Sequence, residues 1–266
     1  MLAFIQFFRQ VRGHRSMIFA LALRDLRVRY AGTLGGALWA FAHPVAIVAV
    51  FYFVFAVGFR AQGPSNVPFI LWFVCGLVPW LFFNETLLAI TNSITSNAHL
   101  VKKTVFPTEV LPLVHVTSGL IPHAIFMLVL IAMLVFFDVS FRIERILVLY
   151  YLICTCTLVL GLGWMLAALQ VFYRDIAQAL TMVMNLWFWL TPIVWDPALM
   201  PKEYHWVFAW NPMHYVVDGY RGMLIYSQPR WPDTSETIYF WCIALVFLVL
   251  GATVFRRLKP EFADVI

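Results

Sequence analysis

The sequence predicts an all-α integral membrane protein, with six transmembrane helices in one domain preceded by a short interfacial segment. Three observations carry this. Apolar residues make up 63% of the 266, and the mean hydropathy is +0.85; an ordinary soluble domain is about 45–50% apolar. Charged residues amount to only 12%. Six stretches, 31–59, 61–84, 110–137, 146–173, 176–195 and 237–255, contain no Asp, Glu, Lys or Arg. A helix crossing a bilayer needs about 20 predominantly apolar residues, and the six stretches meet or approach that length. A soluble bundle of buried helices is the poorer reading. A transmembrane β-barrel is excluded, because its strands would alternate over about 10 residues between turns.

Orientation follows from Lys and Arg. With six spans, one side holds both termini and Arg9, Arg12, Arg15, Arg24, Arg27, Arg29, Lys102, Lys103, Arg174, Arg256, Arg257 and Lys259. The other holds Arg60, Arg142, Arg145, Lys202, Arg221 and Arg230. The ratio of 12 to 6 predicts cytoplasmic termini. The net charge of +5 is mostly this bias and is no argument for nucleic acid.

Residues 1–30 form the interfacial segment. Leu2, Ile5, Phe8 and Val11 recur at helical spacing, and after Gly13 a second stretch, 16–30, begins apolar and turns basic. A basic amphipathic helix on the inner membrane surface accounts for both, with Ser16 as a candidate cap. The apolar run 2–8 is too short for a signal peptide and is followed by arginines. The six-span domain then occupies 31–266. Span one opens on small residues from Gly32 to Trp39, which allow close packing, and Pro44 predicts a kink. Span three carries Pro112 and Pro122, and span four Gly161 and Gly163. A basic island, 99–112, joins spans two and three on the cytoplasmic side. On the outer side, 196–236 is rich in aromatics and punctuated by Pro197, Pro201, Pro212, Pro229 and Pro232. Two short helices, 200–210 and 213–226, broken at Asn211-Pro212, predict a re-entrant or interfacial hairpin. Non-helical backbone at membrane depth must be buried in protein or line a wet cavity.

Catalytic patterns are missing from this sequence. It has no Gly-x-x-x-x-Gly-Lys-Ser/Thr phosphate loop, no His-Glu-x-x-His and no Gly-x-Ser-x-Gly. Cys75, Cys154, Cys156 and Cys242 lie in apolar stretches and suggest neither a disulfide framework nor a metal site. Glu85 and Glu109 stand at predicted span ends, which argues against a proton relay buried in mid-membrane. A six-span chain without a nucleotide site reads as a membrane subunit driven by a separate protein; no catalytic or metal residue is assigned to it.

Three motifs then carry a resemblance. Leu100-Val-Lys-Lys-Thr-Val-Phe-Pro-Thr-Glu-Val-Leu-Pro112 resembles the cytoplasmic loop of ABC type-2 export permeases that move lipid-linked polysaccharides. Arg24-Asp-Leu-Arg-Val-Arg-Tyr-Ala-Gly-Thr-Leu-Gly-Gly-Ala-Leu-Trp39, followed by Pro44, is similar to that family's approach to span one. Trp210-Asn-Pro212 with Tyr220-Arg221 is similar to its outer-loop signature. The order and the predicted sides agree along essentially the whole chain, and Gly35-Gly36 and His43 are small departures.

The resemblance implies a homodimeric pore in a bacterial inner membrane, with two ATPase subunits beneath it. ATP and Mg would bind the ATPase, and this chain would bind no cofactor. A coupling helix at about 97–106 would seat on the ATPase through His99, Lys102 and Lys103. Phe106 and Pro107 would set the turn into span three near Glu109. Arg24, Asp25, Arg27, Arg29 and Tyr30 would belong to the interface helix. Periplasmic gate helices at about 197–226 would include Tyr204, Trp210, Asn211, Pro212, Tyr215, Tyr220 and Arg221. Trp39, Trp187, Trp189 and Trp195 would offer sugars broad apolar faces with polar handles. Arginines 24, 27, 29 or 221 would draw the carrier's pyrophosphate. Membrane lipid and periplasmic export proteins complete the implied partners. O-antigen, capsule and teichoic acid all remain open as cargo. A drug or small-lipid exporter of the same architecture, and an ion-coupled carrier, are the rival readings.

Overall fold

The computed structural model describes residues 13–30, 38–64, 67–102, 106–140, 142–226 and 230–266, with backbone only for 29, 30, 40, 41, 43 and 44. Lys103, residues 1–12 and the small residues 31–37, including Gly35-Gly36, lie outside the described residues, as do the side chains of Arg29, Tyr30, His43 and Pro44.

Helix α1 (Arg15–Tyr30) precedes α2 (Trp39–Phe51), which runs into a π-helical stretch, Tyr52–Gly58. Then come α3 (Phe69–Thr91), the short α4 (Ser93–Ser96) and α5 (Ala98–Val101), and α6 (Val110–Phe136). A 3-10 turn, Ile143–Leu147, leads into α7 (Val148–Phe172), and α8 is Ile176–Leu190. After 3-10 turns at Pro197–Leu199 and Lys202–Tyr204 come α9 (Trp206–Ala209) and α10 (Pro212–Leu224). The last long helix is α11 (Thr234–Leu258); a 3-10 turn, Lys259–Glu261, joins it to α12 (Phe262–Val265).

Among the described residues, four helical stretches are long and apolar enough to cross a membrane: Phe69–Thr91, Val110–Phe136, Ile143–Phe172 and Thr234–Val265. The first and fifth predicted spans correspond to the shorter apolar helices Val45–Gly58 and Ile176–Leu190. At 1.5 Å per residue, the 15 residues of α8 reach only about 22 Å, short of the roughly 30 Å hydrocarbon core. Pro192 ends α8 early, because the residue before a proline avoids helical backbone: Thr191 is extended, with φ −93 and ψ 125. Thr191, Pro192, Ile193 and Val194 continue as buried, non-helical chain.

α3 is the post around which the rest is arranged. Most of its residues are buried, from Phe69 to Thr91, and it packs on α6, α7 and α10. Its start is later than the charge-free stretch implies: among the described residues, 61–63, 67 and 68 are non-helical, with Gly63 and Pro68 disfavouring an α-helix there. α7 and α11 form the most extensive helix pair. Glycines bring their backbones together: a Cβ on Gly251 would stand 2.1 Å from the Gly161 carbonyl oxygen, and one on Gly161 2.6 Å from the Leu248 nitrogen. Such close approach is the packing mode available where lipid offers no hydrophobic drive between helices. Asp233 caps α11, accepting from the Ser235 amide at 3.0 Å and the Glu236 amide at 3.3 Å. The Ser235 hydroxyl and these amides hold the Asp233 carboxyl below its ordinary range.

α1 differs from the expected cross-sectional amphipathicity. Apart from Arg15, its charges (Arg24, Asp25, Arg27, Arg29) lie in the second half, and the uninterrupted apolar run, 17–23, lies in the first, so polarity changes along the axis. Ser16 sits inside the first turn, since the helix already begins at Arg15. Ile18 and Ala22 pack against Val110 and Val114 of α6.

Candidate functional site

Two regions bring the candidate residues together. The first is the connection between α3 and α6. Two amides step the chain out of α3: Asn92 Nδ2 donates to the Leu88 carbonyl at 3.0 Å, and Asn97 Nδ2 to that of Ser93 at 2.9 Å. Asn97, at φ −112 and ψ 31, breaks the helix before α5. Val101 is buried, and Leu100 and Phe106 pack on the core. His99 and Lys102, three residues apart, face outward. Pro107 accepts from the Val110 amide at 3.0 Å, opening α6. Glu109 turns into the chain instead of outward: its Oε1 lies 2.6 Å from Lys259 Nζ.

α1 closes the other side of this connection. Arg24 and Arg27 are exposed, while Asp25 points inward. Asp25 Oδ2 accepts from Ser118 Oγ at 2.9 Å and lies 3.4 Å from His115 Nδ1. Between α1 and the connection runs a cleft of about 320 Å³, lined among others by Arg24, Asp25, Asn92, Ser96, Asn97 and His99.

The second region is the segment between α8 and α11, expected on the outer side. The predicted break at Asn211-Pro212 is a helix start. Asn211 caps α10, its Oδ1 accepting from the Met213 amide at 3.0 Å, and Pro212 occupies the first turn, where its missing N–H costs nothing. The expected first helix, 200–210, is instead a 3-10 turn plus the four-residue α9; Pro201, lacking an N–H, precedes that turn. Asn211 also accepts from Trp187 Nε1 and donates to Thr191 Oγ1, both at 2.9 Å.

Arg221 is the central residue of this region. It is 3% exposed. Its Nε donates to the Trp72 carbonyl at 3.2 Å; its two terminal nitrogens donate to the Pro192 and Ile193 carbonyls, each at 2.7 Å. Its guanidinium carbon lies 3.5 Å from the centre of the Trp72 ring. Gly76 leaves the space, since a Cβ there would be 2.6 Å from an Arg221 terminal nitrogen. Arg221 thus supplies donors to the buried chain where α8 breaks, as backbone carbonyls shielded from water require. Arg145 plays a matching part at the far end of α10. It is buried and donates to the Leu224 carbonyl at 2.6 Å, one of the carbonyls a helix end leaves without an intrahelical partner.

The aromatic candidates divide. Tyr220 is buried, with its hydroxyl 3.2 Å from His123 Nε2. Tyr215 is buried, its hydroxyl 3.0 Å from that of Tyr150 and 2.9 Å from Thr237 Oγ1. Trp187 packs edge-on against Trp80 and Phe83. Trp195 is half-buried, with Nε1 donating to the Trp189 carbonyl at 3.0 Å. Trp39, Trp189, Tyr204 and Trp210 are exposed.

Of a polar stripe on α8, the sequence reading had only Trp189. Gln178, Thr181, Asn185 and Trp189 are all exposed and lie within about one face of the helix, opposite Leu180 and Met184, which are buried. An amide side chain facing acyl tails would lack partners at a cost of several kcal/mol (about 2–7). Uncharged polar residues recurring every three or four positions inside an apolar stretch were the available signal. Beside this face, Phe51 of α2 meets Phe188 and Trp189. Among the described residues no group of three or more His, Cys, Asp or Glu side chains converges as a metal site.

These features define a polytopic helical membrane protein with an internally braced segment at 191–226 and a structured connection between α3 and α6. The chain belongs to the ABC-2 type transporter family, whose model matches residues 16–225. Among its relatives is the O-antigen export system permease protein RfbA of Klebsiella pneumoniae, 26% identical over 255 residues, covering 94% of this chain and 95% of that protein. The protein of that name from Myxococcus xanthus is 26% identical over 262 residues, covering 98% and 99%. The polysialic acid transport protein KpsM of Escherichia coli is 22% identical over 242 residues, covering 89% and 91%.

Proposed function

We propose that this chain is the membrane subunit of an ATP-driven exporter of lipid-linked polysaccharide, working as a homodimer with two separate ATPase chains. The observation that carries the reading is end-to-end similarity to O-antigen export permeases, over 94–98% of the chain. The six apolar stretches would all cross the inner membrane, with both termini cytoplasmic. The exposed faces of α2 and α8 would meet across the two-fold axis and line the path. There Gln178, Thr181, Asn185, Trp189 and Trp39 would present amides and rings to a sliding polymer, which many weak contacts serve better than one tight site. Trp210 and Tyr204 would stand at its outer mouth. Arg221 and Tyr215 would brace that mouth from within, so the carrier's pyrophosphate would fall to the exposed Arg24 and Arg27. ATP binding in the partner would push on 97–106 through His99, Lys102 and Lys103.

The test is export in cells lacking the chain. Surface glycan should disappear while its lipid-linked precursor accumulates on the cytoplasmic side, and unchanged surface glycan would overturn the reading. Lys102→Glu with Lys103→Glu should abolish export while the protein still inserts. Normal export in that variant would remove the docking role from 97–106.

A further inference from the structure

The eight residues 259–266 fold back beneath the bundle. Phe262 is 1% exposed, with its ring 5.3 Å from Phe255 and 6.3 Å from Phe172. α12 touches α5, and Ile266 packs on the same core. At the head of that segment, where the 3-10 turn begins, Lys259 reaches Glu109 at 2.6 Å. The connection between α3 and α6 is therefore held twice by one short segment: at α5 through α12, and at Glu109 through Lys259. Trp164 of α7 adds a third tie, its Nε1 3.5 Å from the Glu109 carbonyl oxygen.

We propose that 259–266 is a clasp that makes the α7–α11 pair move with the coupling connection, and that Lys259 and Phe262 are positioning residues for energy transfer. The proposal rests on the coupling role assigned above to 97–106. A partly exposed ion pair contributes little to stability, and both partners here are accessible, 37% for Lys259 and 23% for Glu109. What the pair does is join two points far apart in sequence. Without it, a push on α5 would bend the connection relative to α3 and α6 alone. With it, the displacement passes directly to the foot of α11, and through the glycine contact to α7.

The test uses the complete permease–ATPase complex in vesicles, reading ATP hydrolysis and glycan translocation together. Lys259→Glu should leave hydrolysis within about twofold of wild type while lowering translocation per ATP about five- to tenfold, the effect of losing a modest coupling free energy. Glu109→Lys combined with Lys259→Glu should restore most of the ratio, and Phe262→Leu should lower it less than Phe262→Ala. A general folding defect would lower hydrolysis and translocation together and would not be rescued by the swap; that result overturns the clasp. So does a wild-type ratio in Lys259→Glu. Lys102→Glu with Lys103→Glu, run alongside, separates the two ideas: normal export there sinks the docking reading, whereas a wild-type ratio in Lys259→Glu sinks only the clasp.

Discussion

Replacing Arg221 by methionine keeps a long unbranched side chain and removes every donor. Two carbonyls, of Pro192 and Ile193, then lose bonds of 2.7 Å each. An orphaned buried acceptor costs about 1–3 kcal/mol, so the pair costs about 2–6. Loss of the guanidinium over Trp72, 3.5 Å from the ring centre, adds about 2 kcal/mol for a desolvated cation–π contact. Against this stands the relief of no longer burying a charge, several kcal/mol for a real protein interior. The carbonyls of 192 and 193 have no ready replacement donor, because the chain there is buried away from water. The net expectation is a loss of about 3 kcal/mol, roughly 6–12 °C in the thermal midpoint of a domain this size. The assay is thermal unfolding of the purified protein in a bilayer mimic. Arg221→Lys should fall between, since a single ammonium cannot reproduce the fork. A midpoint for Arg221→Met equal to wild type would refute the bracing argument, and so would a lysine variant as stable as the native chain.

Three further predictions follow the same physics. Gly251→Leu should separate α7 from α11 and destabilise by about 3 kcal/mol or more, read as reduced amounts of inserted protein; wild-type amounts would show that the backbones are not in contact. Asn211→Ala should cost about 2–3 kcal/mol, from one lost cap and the bonds to Trp187 and Thr191, measured by the same thermal assay. Asn185→Leu should leave the thermal midpoint unchanged, because the side chain is exposed, and should lower export if the proposed path runs along α8; undiminished export would take α8 out of that path.

What could be read from the sequence was whatever the bilayer imposes locally. Charge is expensive in hydrocarbon, so charge-free stretches mark helices well: 110–137 became Val110–Phe136, and 146–173 became Val148–Phe172 with a 3-10 turn before it. Ends were harder. α3 continues through Glu85 to Thr91, because a helix sheltered by neighbours outlasts the apolar zone. The break at Pro192 was visible as a proline, but what satisfies it was not. Arg221 lies 149 positions from Trp72 and about 28 from the broken turn, and Arg145 lies 79 from Leu224. No local pattern announces a donor for a carbonyl that distant. Both arginines were counted toward membrane orientation, although their burial gives each a structural task. Aromatic content was equally silent about direction. Trp187 and Trp189 are two residues apart, and one braces the core while the other faces out.

The glycine contact between α7 and α11 has a mechanical meaning. Where side chains separate two helices, rotamers can yield and the helices can slide; where carbonyl meets backbone at the distance found at Gly161 and Gly251, there is no clearance to give up. These two helices behave as a single beam. On the proposed reading, a passage wide enough for a polymer would then open along another seam. The seam that reading favours is the flank formed by α2 and α8, where a π-helical stretch and a helix cut short by proline interrupt the regular α-helix.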